Sequence, residues 1–122
     1  MKPLVILTAL LFLPSFGMAQ TLTTPNYVIN ITSRCKDPEL PCKNVSYVGT
    51  HNKTKRTIRL RGADRVRYCP GDFGNGAGAT PCHHEGFEFN NGNTTYTVFD
   101  EGRLLVQQGS NVLINELGKW SD

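Results

Sequence analysis

The sequence predicts an all-β domain: a small antiparallel up-and-down barrel of about eight strands, stapled by disulfides, with a β-sandwich as the alternative. Three observations predict it. Short segments between Tyr27 and Leu117 alternate apolar and polar residues with a period of two. Gly, Asn and Asp turn signals punctuate those segments at regular intervals. No stretch after the leader carries the periodicity of an amphipathic helix, and the short links favour antiparallel neighbours. Closing the sheet into a barrel also removes exposed strand edges.

Residues 1–19 are read as a secretory signal peptide rather than as part of the fold. Lys2 supplies the basic start, Leu4 to Leu13 an apolar run too short to span a bilayer, and Gly17-Met18-Ala19 the small residues before a cut at Gln20. Residues 20–122 then form one all-β domain, expected to be extracytoplasmic, periplasmic or secreted, with no transmembrane segment.

Thr21 to Asn26 reads as a polar lead-in. Tyr27 to Arg34 is the first strand, with Tyr27, Ile29 and Ile31 on one face. Cys35 to Cys42 encloses a Pro-containing loop. Asn44 to His51 is the second strand, with Val45 and Tyr47 on one face. After a turn at Asn52 to Lys55, Arg56 to Arg61 forms the third, with Ile58 and Leu60 inward. Gly62-Ala63-Asp64 reads as a tight turn into a short fourth strand, Arg65 to Tyr68. Cys69 to Cys82, rich in glycine with a proline inside each cysteine, reads as a loop. His84 to Asn90 carries Phe87 and Phe89 on one face. Asn91-Gly92 is the clearest hairpin signal, because both residues tolerate positive φ. Asn93 to Phe99 carries Tyr96 and Val98 on one face, and Arg103 to Gln108 and Val112 to Leu117 complete the set.

Four cysteines in an exported chain predict two disulfides. The local pairing, Cys35 with Cys42 and Cys69 with Cys82, is favoured because each pair flanks a Pro-containing loop between strand-like runs. Each closure stabilises by about 2.5–3 kcal/mol on the chain-entropy model. The spacing is not that of a zinc knuckle, and no metal or other cofactor is expected.

Charge is distributed unevenly. Gln20 to Arg67 holds ten Lys or Arg and three Asp or Glu, a balance of +7; Tyr68 to Asp122 holds two against seven, a balance of −5. Such asymmetry bears on partners more than on fold. Arg56, Arg59, Arg61, Arg65 and Arg67 are the densest cluster. If the third and fourth strands make a hairpin, the last four share a face, and like charges on one face call for an anion to offset them. Arginine suits carboxylate and phosphate because its planar fork binds both bidentately. The competing expectation is internal pairing with Glu85, Glu88 or Glu116. No aromatic residues interleave with these arginines, so nucleic acid is not the expected partner. Phe73 is the one apolar anchor on the Gly-rich loop.

His83-His84-Glu85 and the distant His51 are the only general acid–base candidates. On a regular strand His83 and His84 point to opposite faces. Gly74-x-Gly76-x-Gly78 lacks the strand and helix that a phosphate loop needs. The four Asn-x-Ser/Thr sequons, at Asn30, Asn44, Asn52 and Asn93, exceed chance only mildly. Gly118-Lys119-Trp120 resembles the Gly-x-Trp of lipocalin-type barrels, but there the motif opens the first strand, so no family is carried over.

The expected function is binding rather than catalysis. The binding surfaces are the arginine hairpin and the disulfide-closed loop with Phe73, and the partner is an anionic envelope component or a protein. One alternative is a hydrolase inhibitor of the lysozyme-inhibitor kind using the acidic half, an analogy of size and compartment. The other is a small hydrolase or nuclease built on His51 and His84.

Overall fold

A computed structural model describes residues 18–35, 40–70 and 79–121. Nine antiparallel strands form one sheet: β1 (Met18–Thr23), β2 (Tyr27–Ser33), β3 (Val45–His51), β4 (Thr57–Pro70), β5 (Ala79–Asn91), β6 (Thr94–Phe99), β7 (Arg103–Gln108), β8 (Asn111–Leu117) and β9 (Lys119–Ser121). Sheet order is β8-β7-β6-β5-β4-β3-β2-β1-β9, an up-and-down meander that curls into a nearly closed barrel. Both disulfides have the local pairing, Cys35–Cys42 and Cys69–Cys82, a feature characteristic of oxidising, extracytoplasmic settings. The Gly-rich segment 71–78, with Phe73, lies outside the described residues, as does the expected leader up to Gly17; Met18 and Ala19 open β1.

The period-two pattern sorts the faces as expected. Ile29 and Ile31 of β2, Val45 and Tyr47 of β3, Phe87 and Phe89 of β5, Tyr96 and Val98 of β6, and Leu104 and Val106 of β7 are all buried inside the barrel. Tyr47 packs tilted against Phe89 and edge-on against Tyr96, with ring centroids 5.1 and 5.4 Å away, geometry that adds to the burial itself.

The structure departs from the sequence reading at three places. First, the polar lead-in is a strand. Leu22 is its only apolar residue to turn inward, fully buried, so no alternation announces β1. Second, Gly62-Ala63-Asp64 is not a turn. β4 runs through it for 14 residues, so the arginine hairpin is one strand. Gly62 is there for close approach: a Cβ would collide with the Glu88 carbonyl and stand 2.6 Å from Phe89 Cδ2. Third, the loop starting at Cys69 is shorter than it reads, because pairing continues to Cys69↔Thr80 and Pro70↔Ala79. Pro81 lies opposite Tyr68 beside a register shift, the kind of irregularity at which a strand tolerates proline.

Closure comes from the last nine or so residues. β8 pairs with β7 up to Arg103↔Leu117, and β9 then pairs with β1 from Thr23↔Lys119 to Thr21↔Ser121. Gly118 joins them; a side chain there would strike the Thr23 carbonyl, and its N–H donates to the Gly102 carbonyl at 2.8 Å. Glu116 clasps the β1–β2 turn by accepting from the Asn26 backbone and side chain at 3.1 and 2.6 Å. Trp120 Nε1 donates to the Asp100 carbonyl at 2.8 Å and packs its ring towards Phe87.

Gly62→Ala is expected to cost about 1–3 kcal/mol in urea unfolding, because the added methyl meets backbone. Gly92→Ala sits in the open hairpin turn, where φ is +66° and nothing lies within 4 Å. It should cost about 1 kcal/mol or less, through backbone conformation alone. Equal losses at the two sites would contradict the close-approach role of Gly62.

Candidate functional site

β4 carries the arginines on the barrel's outer face. Arg59, Arg61, Arg65 and Arg67 are all exposed, because alternate residues of one strand share a face. The shared face foreseen for a hairpin is therefore present, but along a strand rather than across two. Arg56 lies just before β4, exposed, in the β3–β4 turn.

The row divides into two halves. Arg65 reaches Glu85 and Glu88, each at 3.2 Å, and its guanidinium sits over the Phe99 ring at 5.6 Å. Arg67 reaches the other Glu85 oxygen at 3.3 Å. A bulge in β5 makes this possible. Arg65 pairs with Gly86 and Val66 with His84, so Glu85 is the extra residue and turns outward beside Glu88. Gly86, at φ +152° and close to the Val98 carbonyl, is a conformation and a clearance only glycine supplies.

Arg59 and Arg61 have no carboxylate within ion-pair distance among the described residues. Cross-strand, Arg61 stands opposite Ser46 and Arg59 opposite Val48. Arg34, at the end of β2, donates to Ser46 Oγ at 3.3 Å, and Arg61 reaches Asn44 Oδ1 at 3.5 Å. Arg34, Arg59 and Arg61 thus surround a shallow depression of about 290 Å³ with Ser46 in its wall. Arg34 carried no distinguishing signal in the sequence, since its proximity depends on the β2–β3–β4 register.

The bulge also turns His84 towards Phe87, with ring centroids 5.0 Å apart. His84 Nδ1 lies 2.8 and 3.0 Å from the Asp100 oxygens, and Nε2 lies 3.1 Å from Asp64 Oδ1. Only an imidazolium can donate to both carboxylates at once. Partial burial pulls the His84 pKa down, but the hydrogen bonds to Asp100 and Asp64 and their charges outweigh it, so the net shift is upward. Asp64 is almost wholly buried. Its other oxygen accepts from the Cys42 N–H at 2.8 Å, and its own N–H donates to the Cys42 carbonyl at 2.8 Å. The residue read as a turn therefore ties the first disulfide to β4, β5 and the β6–β7 turn.

His51 is not brought to His84. It ends β3, where Nδ1 accepts from the Lys53 and Thr54 N–H groups at 3.1 and 3.2 Å and the ring stands edge-on to Tyr27 at 5.0 Å. The two histidines line different cavities. Among the described residues no three His, Cys, Asp or Glu converge as a metal site, and Asp64 and Asp100 engage opposite nitrogens of one ring.

Fold and site together define a nearly closed antiparallel barrel with a basic outer face. No protein-family model, curated protein or solved structure matches the chain.

A pH dependence follows from His84. Its folded pKa lies above the unfolded value, so its contribution is fully present below about pH 6.5 and is lost as pH rises through the folded pKa. The Tm advantage of the wild type over His84→Phe should be largest near pH 5.5 to 6, while the carboxylates remain ionised, and shrink towards pH 9. An advantage that grows with pH would mean the ring is neutral in the fold.

Proposed function

We propose that the protein is an exported binding protein that docks a multivalent anion, bearing phosphate or sulfate groups, on Arg34, Arg59 and Arg61. The observation that carries this reading is where charge is left uncompensated. Each of the six acidic side chains among the described residues already has a partner. Asp64 and Asp100 hold His84, Glu85 and Glu88 hold Arg65 and Arg67, Glu101 holds Arg103, and Glu116 holds Asn26. The charge left over on the described surface is positive.

Alternate residues on a strand stand about 6.5–7 Å apart. Arg59 and Arg61 therefore present two forks at a separation suited to neighbouring anionic groups, with Arg34 as the third from across the sheet. The same accounting weakens the inhibitor reading, because among its described residues the acidic half has no idle carboxylate cluster to offer a basic enzyme. The disulfides and the N-terminal pattern support export with cleavage before Gln20, which leaves Gln20–Thr23 to pair with β2. Intact mass of the secreted product checks this; a product retaining Met1 would remove the export argument.

Heparin serves as the probe of the arginine face. Its affinity should fall steeply with salt, as expected when contact releases counterions. Arg59→Gln with Arg61→Gln should cut the slope of log affinity against log salt by roughly half and leave Tm nearly unchanged, since exposed charges contribute little to stability. Arg65→Gln with Arg67→Gln should leave most of the slope and lower Tm, because Glu85 and Glu88 lose their partners. The reverse assignment of the two effects would sink the proposal.

A further inference from the structure

The barrel interior is packed at one end and hollow at the other. Near the β3–β4 turn lies a cavity of about 500 Å³, walled by Tyr27, Tyr47, Tyr96, Ile58 and Ile114, with Arg56 at its rim. That volume is in the range of small-ligand sites. Barrels of this strand number have room for side chains or for one small ligand, so an unfilled end is a choice of residues rather than a necessity of the fold.

The choice is visible at Gly49. It lies within β3 facing inward, where glycine weakens a strand. Without a Cβ there, the Tyr47 ring folds back along the wall. A methyl at 49 would stand 2.7 Å from Tyr47 Oη and 2.8 Å from Cε1, driving the ring into the lumen. The space is thus held open by a residue that costs stability.

The lining has a chemistry. Burial, with Tyr96 and Tyr27 nearby, pushes the Tyr47 phenol well above its usual pKa, so it stays a neutral donor. Although Tyr47 is buried, none of the described residues takes its hydroxyl, and among them no side-chain polar atom is sealed away without a partner, so that oxygen opens on the cavity. His51 also lines the cavity. Because its Nδ1 accepts two backbone N–H groups, its remaining proton is on Nε2, which leaves a donor at that nitrogen. Arg56 has no carboxylate partner among the described residues.

We propose that this open end binds a small flat apolar molecule carrying one acidic group, its body among the tyrosines and its acid at Arg56 and His51. Aromatic walls supply area and stacking, and the rim cation supplies orientation. The site is separate from the Arg34, Arg59 and Arg61 face and does not depend on that face binding anything.

Two probes test it: 8-anilino-1-naphthalenesulfonate, and N-phenyl-1-naphthylamine, its neutral counterpart. Both should bind the exported protein saturably at one per chain, with blue-shifted fluorescence, and saturating heparin should not displace them. Ile114→Trp, which fills the cavity, should weaken both at least tenfold; Ile58→Trp, at the exposed rim, serves if the first variant does not fold. Arg56→Gln should weaken the sulfonate about three- to tenfold and leave the naphthylamine unchanged. Absence of saturable binding, equal binding by the filled variants, or displacement by heparin would overturn the site. Equal losses of both probes in Arg56→Gln would overturn the assignment of the acid to Arg56.

Discussion

The architecture depends on how the last strand changes partner. β8 is hydrogen-bonded to β7 and β9 to β1, and the single residue between them, Gly118, must pass against the Thr23 carbonyl. Were the chain to continue straight, the barrel would remain an open sheet with β1 and β8 as free edges. The switch pulls the ends together, and Glu116 and Trp120 secure it from either side, one on the β1–β2 turn and the other on the β6–β7 turn. Glu116 feels this directly. Its partial burial favours the protonated form, but the hydrogen bonds from Asn26 and Thr24 outweigh it and hold its pKa below the ordinary value. Closure is nonetheless partial. Among the described residues β8 has a strand on one side only, and next to a bulge at Leu113 both Val112 and Leu113 are more than half exposed.

Within that frame, the bulge at Glu85 and the carboxylate of Asp64 organise the packed end. One inserted residue reverses the facing of the β5 stretch that precedes it. His84 then joins the Phe87 side, between two carboxylates, and Glu85 joins the arginine side. The bulge supplies Arg65 and Arg67 with partners; Arg59 and Arg61 stay uncompensated for a different reason, since β5 carries no carboxylate beyond Glu88. The basic character of the surface is therefore decided by local register as much as by composition.

The two proposed sites use different parts of one barrel. The outer face is built around β3 and β4, where alternation brings arginines outward; the inner site uses positions of β2, β3 and β4 one residue out of phase, together with Tyr96 of β6 and Ile114 of β8. Arg56, in the turn before β4, is where the outer row meets the mouth. Such a division is natural for a barrel, whose wall is a single strand thick.

Much of the fold was determined by the sequence itself. Alternation at Ile29 and Ile31, Val45 and Tyr47, Phe87 and Phe89, and Tyr96 and Val98 specifies both strand and facing, because a one-residue slip would expose every one of these side chains. Cysteine spacing with proline-bearing loops specifies the disulfides. The sequence also placed Arg59, Arg61, Arg65 and Arg67 on one face, since parity alone does that, whether across a hairpin or along a strand. Tertiary structure decided the rest. Whether Gly62 turns the chain or lets it pass close to Glu88 depends on what lies opposite, and glycine permits both. Whether Glu85 points to solvent or core depends on a bulge that only strand pairing reveals. The hollow among Tyr27, Tyr47 and Tyr96 exists because strands distant in sequence surround it, and each tyrosine alone reads as ordinary core. Period and spacing are local properties and survive in one dimension; partners, clearances and cavities are relations between segments and arise only when the sheet closes.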